Sequence, residues 1–274
     1  MRIATWNMDH WRRPQEQRDA AWAFLRDQIR PDIALLQEAV PSDGVGSAVF
    51  RKGGIRDDRS GQPKDLGWGS TVVAFGSEIR SIDSATTPFA KKPNPILRTF
   101  PGAVAVAELP GDEPIVVVSV YGVIDRGYAD ATMHRILSDL TPLIDERRGK
   151  QIIVAGDMNI TTQWSAKHRS FLHGLHNECL RRDQTVFDRF KALGLTNVVE
   201  GTRPLDGCGC AAGDGCRHVQ TQQHEKSTFP WQNDYIFLSD DLVESGYNVE
   251  LITSKDAWSL SGHCPVVVEL PRVG

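Results

Sequence analysis

Apolar positions along the chain gather in short runs whose internal spacing predicts their local structure. Arg2–Trp6 reads as a short opening strand. Within Glu16–Ile29, Ala21, Trp22, Leu25 and Ile29 fall at helical spacing with Arg and Asp on the other face. That pattern predicts an amphipathic helix, ended by Pro31. Asp32–Gln37 (DIALLQ) is a compact apolar run suited to a buried strand. Residues 41–70, rich in Gly, Ser, Asp and basic side chains, read as one long surface loop. Thr71–Phe75, Gly102–Leu109 and Ile115–Tyr121 are Val- and Ala-rich strands, and Ala129–Arg147 is a helix with Thr141-Pro142 as its candidate break.

The second half repeats the plan. Gln151–Ala155 (QIIVA) is a strand, and Lys167–Leu193 contains helical material with Phe187, Phe190 and Leu193 on one side. A second long polar stretch fills 201–233, and Asp234–Leu238, Tyr247–Leu251 and Cys264–Leu270 close the chain as strands. Strands come in groups with helices between the groups. This favours an α/β (α+β) fold of two packed sheets flanked by helices over a doubly wound parallel sheet. Neither a linker nor a short repeat divides residues 1–274, so the expectation is a single domain.

Composition narrows the class. With 40% hydrophobic and 24% charged residues, the chain is neither disordered, collagenous nor coiled-coil. No apolar run approaches the roughly 18 residues of a membrane helix, and MRIATWNMDHW does not read as a secretory signal. The expectation is a soluble, cytoplasmic protein. Thirty-one Lys and Arg against 35 Asp and Glu give a net charge of −4, so no overall basic excess marks a duplex-DNA binder. Five Cys in a reducing compartment point away from a disulfide framework and leave open whether the clustered ones bind metal.

Five polar sets stand at the ends of the apolar strands: Asn7 and Asp9, Glu38, Asp157 and Asn159, Asn233 and Asp234, and His263. Any one of them alone reads as a turn residue. Together, if the strands run side by side, they form a rim of carboxylates, amides and an imidazole. Hard oxygen donors such as Asp9 and Glu38 suit Mg²⁺ or Mn²⁺. Asp157 can accept a proton from, or orient, an attacking water, and Asn159 can hold a phosphoryl oxygen or the nucleophile. Asp234 beside His263 makes a carboxylate–imidazole pair that stabilises charge on phosphorus.

The segments TWNMDHW (5–11), LLQEAV (35–40), VSVYG (118–122), VAGDMN (154–159), NDYIFLS (233–239) and SGHCPVVVEL (261–270) occur in this order over nearly the whole chain. In them the protein resembles the endonuclease/exonuclease/phosphatase superfamily, which includes exonuclease III-like apurinic endonucleases, pancreatic deoxyribonuclease, sphingomyelinases and inositol polyphosphate 5-phosphatases. The resemblance implies a four-layer α-β-β-α sandwich with two packed mixed sheets and the site at one edge of both. It implies that Glu38 is a direct metal ligand with Asn7 beside it, and that Asp9 is a further metal-side carboxylate. Asp157 and Asn159 match the pair that positions the nucleophilic water, Asp234 the partner of the catalytic His263, and Tyr121 a phosphate-contacting tyrosine. One departure stands out: where the family ends Ser-Asp-His, this chain has Ser261-Gly262-His263. The implied activity is divalent-metal-dependent hydrolysis of a phosphate ester, with a nucleic-acid phosphodiester the leading substrate and no obligate protein partner. The alternatives are a phosphomonoesterase on an inositol, lipid or nucleotide phosphate, and a weakly catalytic phosphate or nucleic-acid binder.

Residues 202–230 hold a C-x-C-x5-C-x-H array of Cys208, Cys210, Cys216 and His218, with His224 as a spare ligand. The segment has almost no apolar residues, so it is either a structural Zn²⁺ site or a flexible Gly-rich loop with free thiols. His168, His173 and His176 read as a solvated face, and Arg51, Lys52, Arg56, Arg59, Lys91 and Lys92 as wet-loop charges or phosphate contacts. Trp6 reads as core; Arg98 and Arg135 have no pattern that places them. No G-x-S-x-G elbow and no G-K-[ST] phosphate loop is present.

Overall fold

In the computed structural model, the described residues are 1–42, 44–52, 55–56, 63–64, 67–86, 92–96, 100–125, 127–147, 149–165, 175–202, 204–206, 208–224 and 229–271. Two six-stranded mixed sheets are built from strands in both halves of the chain. The first contains β1 (Arg2–Asn7), β2 (Ile33–Ala39), β3 (Ser47–Lys52), β4 (Gly69–Ala74), β11 (Asn248–Leu251) and β12 (Val266–Glu269), in the order β11-β12-β1-β2-β4-β3. The second contains β5 (Arg80–Ser81), β6 (Val104–Leu109), β7 (Ile115–Tyr121), β8 (Ile152–Asp157), β9 (Leu195–Asn197) and β10 (Asp234–Ser239), in the order β9-β10-β8-β7-β6-β5.

The inner faces of the sheets share a core of Val, Ile, Leu and Ala that includes Ile3, Leu35, Val117, Ile153, Ile236 and Val266. On the outer face of the first sheet, Trp6 and Leu36 pack against Ala21, Trp22 and Leu25 of α1 (Gln15–Phe24) and the π turn that follows it. The outer face of the second sheet carries α2 (Asp130–Glu146) and α3 (His176–Ala192), with Phe190 stacked on Phe237 at 3.9 Å. Each sheet therefore buries both faces, which is why its strands read as continuous apolar runs rather than strict alternations. The result is the expected four-layer sandwich.

Two expectations are revised and a third is given its bounds. Residues 41–70 are not one loop, because Ser47–Lys52 forms an edge strand on β4, with a short ribbon at Ile55–Arg56 and Pro63–Lys64. Helix α2 runs through Thr141-Pro142 without a break. Pro142 lacks an N–H, but Thr141 Oγ1 donates to the Leu137 carbonyl at 2.6 Å, and Arg189 of α3 donates to the His134 carbonyl at 2.6 Å and to Ser138 Oγ at 3.0 Å. These bonds anchor the turn before the proline, whose missing N–H removes only the bond to the Ser138 carbonyl. The helix predicted within Lys167–Leu193 begins at His176, and residues 166–174, with His168 and His173, lie outside the described residues.

Candidate active site

Register brings the predicted residues to one rim. Strands β7 and β8 are parallel and β10 is antiparallel to β8, so Tyr121 pairs with Asp157, and Asp157 with Asp234. In the other sheet β1 and β2 are parallel and end beside them at Asn7 and Gln37. His263 comes just before β12, which runs antiparallel to β1. The C-terminal ends of four strands and the N-terminal approaches to two therefore meet.

Local backbone departures aim the side chains. Among the described residues, four non-glycines have positive φ: Asp9 (50°), Arg30 (53°), Glu38 (49°) and Asn159 (49°). Three of the four belong to the predicted site, as expected where strain serves function. Glu38 sits in a bulge, where the β2–β4 register shifts between Leu36 and Ala39. The bulge turns its carboxylate toward the rim.

A connected hydrogen-bond network joins the sheets. Asn7 Nδ2 donates to Asp157 Oδ2 at 2.8 Å, and the Asp9 N–H donates to Asn7 Oδ1 at 3.0 Å. The Asn159 N–H donates to Asp157 Oδ1 at 3.0 Å, and Asn159 Nδ2 donates to the Gly122 carbonyl at 2.9 Å. His263 Nδ1 donates to the fully buried Asp234 at 2.8 Å, while Nε2 lies 3.8 Å from Asp157 Oδ2. The backbone of His263 is fixed by Trp6 Nε1, which donates to its carbonyl at 2.8 Å, and by Ser261 Oγ, which accepts its N–H at 3.1 Å and donates to the Asn7 carbonyl at 2.7 Å. Trp6 is thus core, as expected, and also braces the site.

Burial dominates the electrostatics. It pushes Asp157 up to about 7; the neighbouring His263 opposes this, and Asp234 and Glu38 reinforce it. Burial works against a charged His263, yet Asp234 and Asp157 raise it to about 10. Burial raises Glu38, with His263, Asn7 and Tyr121 pulling the other way. Tyr121 is held well above its usual range by burial and by the adjacent Glu38 and Asp157, so its hydroxyl stays a donor. Its ring meets Trp68 edge-on at 5.5 Å.

Asp157, Asp234 and His263 lie close enough to share an ion. The imidazole, however, is held protonated and bonded to Asp234, so it has no free lone pair to give. The oxygen donors at Glu38 and Asn7 suit a hard divalent cation better. Among the described residues no cationic side chain is bonded to the buried Glu38 carboxylate, and Asn7 Oδ1 keeps a lone pair beyond its bond to Asp9. Asp9 itself is turned to Arg13 at 3.1 Å and Arg12 at 3.7 Å.

Gly262 leaves room for a neighbouring segment. A Cβ there would stand 3.2 Å from the Gln223 carbonyl, and the Gln223 N–H donates to the Gly262 carbonyl at 2.8 Å. That bond sets Gln222 beside the histidine: its side-chain amide lies 3.1 Å from His263 Nε2 and 2.6 Å from the Asn233 amide. Gln222, Thr221, whose hydroxyl accepts the Asp234 N–H at 3.1 Å, and Gln37, which donates to Ser119 Oγ across the sheets at 3.0 Å, had no signal in the sequence. Among the described residues, the weaker candidates Arg51, Lys92 and Arg135 do not join the site. Arg51 is paired with Asp83, Arg135 is exposed on α2, and Arg59, Lys91 and Arg98 lie outside the described residues, as do the side chains of Lys52 and Arg56.

The profile of the Endonuclease/Exonuclease/phosphatase family matches residues 4–253, and the chain belongs to that family. Its fold is similar to an AP endonuclease from Archaeoglobus fulgidus, at 16% identity and a TM-score of 0.62, covering 98% of this chain and 99% of the other. An AP endonuclease from Leishmania major is similar at 16% identity and a TM-score of 0.60, over 97% of this chain and 86% of the other. The 3′ phosphatase NExo from Neisseria, solved with a product DNA hairpin, is similar at 17% identity and a TM-score of 0.61, over 99% of each chain. No curated protein matches the sequence. Among the described residues, no helix is long and apolar enough to cross a membrane.

Proposed function

We propose that the protein hydrolyses a phosphodiester, with nucleic acid as the substrate class, by in-line attack of water and with Mg²⁺ or Mn²⁺ as cofactor. The observation that carries this reading is the buried Asp157, raised to about 7 and held between the Asn7 amide and the Asn159 N–H. A carboxylate tuned near neutrality is matched to taking a proton from water. Asn159 commits its Nδ2 to the Gly122 carbonyl, which leaves Oδ1 to accept from the same water. His263, kept cationic by Asp234, directs its Nε2–H at the charge that develops on the phosphoryl oxygens, and the Tyr121 hydroxyl donates to another. Glu38 and Asn7 would hold the ion, with Asp9 beside them. When bound, a divalent ion supplies the positive charge that polarises the phosphoryl group and eases departure of the leaving oxygen.

Nucleic acid is favoured by the DNA named with the Neisseria neighbour and by the exposed Trp11, 48% accessible, with Arg12 over its ring at 4.3 Å. An aromatic face under a guanidinium beside the site suits a stacked base. The test is hydrolysis of bis(p-nitrophenyl) phosphate, p-nitrophenyl phosphate, and single- and double-stranded DNA with and without an abasic site or 3′-phosphate. Metal-stripped protein with Mg²⁺ or Mn²⁺ restored is compared with Asp157→Asn and His263→Ala. Metal-dependent diester cleavage, reduced about 100-fold or more in each variant, is the expected result. Turnover of the monoesters alone moves the reading to a phosphomonoesterase. No turnover by folded protein that still binds DNA moves it to a binding protein, with Gly262 as the first residue to revert to the family's Asp.

A further inference from the structure

The loop between β9 and β10 has no apolar core of its own. Among the described residues from 202 to 217, only Cys208 and Cys210 are buried, at 2% and 7% exposure. The loop ends are tied by the Gly201 N–H donating to the Arg217 carbonyl at 2.7 Å and the Leu205 N–H to the His218 carbonyl at 2.8 Å. Inside that closure, one ligand atom from each of Cys208, Cys210, Cys216 and His218 lies within 4.8 Å of the others, and no disulfide joins the thiols. His224, the spare ligand, is exposed and outside the group.

We propose that Cys208, Cys210, Cys216 and His218 form a structural zinc site. Metal–sulfur and metal–nitrogen bonds of about 2.3 and 2.0 Å in a tetrahedron set ligand atoms about 3.5–3.8 Å apart. His218 Nδ1 lies 3.4 Å from Cys216 Sγ and 3.8 Å from Cys208 Sγ. The ring's other nitrogen is committed, since Nε2–H faces Thr162 Oγ1 at 2.7 Å, which turns the Nδ1 lone pair toward the sulfurs. Gln163 Nε2 donates to Cys208 Sγ at 3.6 Å, as an outer partner of a thiolate does. Three thiolates and a neutral imidazole are a common zinc set, and binding releases the thiol protons to solvent. Such an ion does for this loop what an apolar core does elsewhere.

The site also reaches the catalytic rim. Fully buried Gln163 accepts the Gln232 N–H through Oε1 at 2.7 Å and donates to the Pro230 carbonyl at 2.9 Å. The Val219 N–H donates to Gln232 Oε1 at 3.0 Å. Four residues beyond His218, Gln222 meets His263. The zinc cluster therefore fixes the segment that sets Gln222 against the catalytic histidine. This assignment does not depend on which phosphate ester is cleaved.

The test is the metal content of the full chain, purified without an affinity tag under reducing conditions, by mass spectrometry alongside a thiol count. One zinc per chain is expected, retained in Glu38→Gln and His263→Ala and reduced to about a tenth or less in Cys208→Ser and His218→Ala. Thr162→Val is expected to weaken zinc about tenfold in competition with a chromophoric chelator. Because ligand variants can misfold, the wild-type apo-protein is also titrated with Co²⁺. A thiolate charge-transfer band with intense tetrahedral d–d bands is expected, displaced by Zn²⁺. Failure of the apo-protein to take up stoichiometric Zn²⁺ or Co²⁺, full retention of zinc by Cys208→Ser, or its loss in Glu38→Gln would each overturn the assignment. So would iron or copper at one per chain, or a disulfide among these cysteines in the reduced preparation.

Discussion

Single side chains carry most of the polar chemistry here, and not all of it belongs to the active site. Asp183 on α3 is buried, and its Oδ2 accepts from Trp164 Nε1 at 2.7 Å and from the Thr161 N–H at 3.1 Å. Burial nevertheless raises it to about 6, from 3.8. With the folded value above the unfolded one, folding favours the protonated form. The benefit is complete below about pH 4 and is lost as pH rises through 6, a span of about 3 kcal/mol. Asp183→Asn keeps one oxygen for both donors and has no charge to bury. Its melting temperature is therefore expected to exceed that of the wild type at pH 8, with the gap closing toward pH 4. A gap that widens on acidification would show that the charged hydrogen bonds outweigh the burial.

Elements hold the rim through their ends. Strand β8 ends in Gly156-Asp157, and Gly156 has φ of 153° with its ideal Cβ only 1.8 Å from the Val120 carbonyl of β7. Nothing larger fits between these parallel strands without separating them. Gly156→Ala is expected to cost at least about 2 kcal/mol in urea unfolding and to lower activity by displacing the adjacent Asp157, the proposed base. A loss below about 0.5 kcal/mol would show that the strands can part without consequence. The same contrast explains which elements were legible. β7 is legible to the residue, because both its faces are buried and its run is continuous. Ser47–Lys52 reads as loop in the sequence because an edge strand among polar and Gly-rich neighbours has a weak pattern, and its status comes from pairing with Gly69–Ala74.

At the scale of the molecule, the proposed cation site joins neighbouring strands of the first sheet, Asn7 of β1 and Glu38 of β2, so an ion there should hold those strand ends together. An ion that binds only the folded state at a hundred times its Kd stabilises by about 2.7 kcal/mol. Mg²⁺ or Mn²⁺ is therefore expected to raise the melting temperature of metal-stripped protein, and Glu38→Gln to remove most of that rise. An equal rise in Glu38→Gln would move the ion away from the bulge on β2. The net charge of −4 belongs to this scale as well: substrate attraction must come from local groups such as Arg12 and Trp11, not from the overall field.

The sequence by itself determined the two-sheet architecture and the residue types of the candidate site. Buried strands announce themselves as apolar runs, and carboxylate, amide and imidazole chemistry is a property of the side chains that follow them. Only the tertiary structure decided how those ends meet. The φ of 49° that turns Glu38 inward at the β2–β4 bulge and the approach of Gln222 to His263 past Gly262 both depend on strands or loops distant in sequence. The same holds for the cysteines: their clustering is local, but the convergence of four ligand atoms on one point rests on Thr162, Gln163 and Gln232, which the sheets deliver. Non-local hydrogen bonds and desolvation set these positions, and neither leaves a periodic trace in the chain.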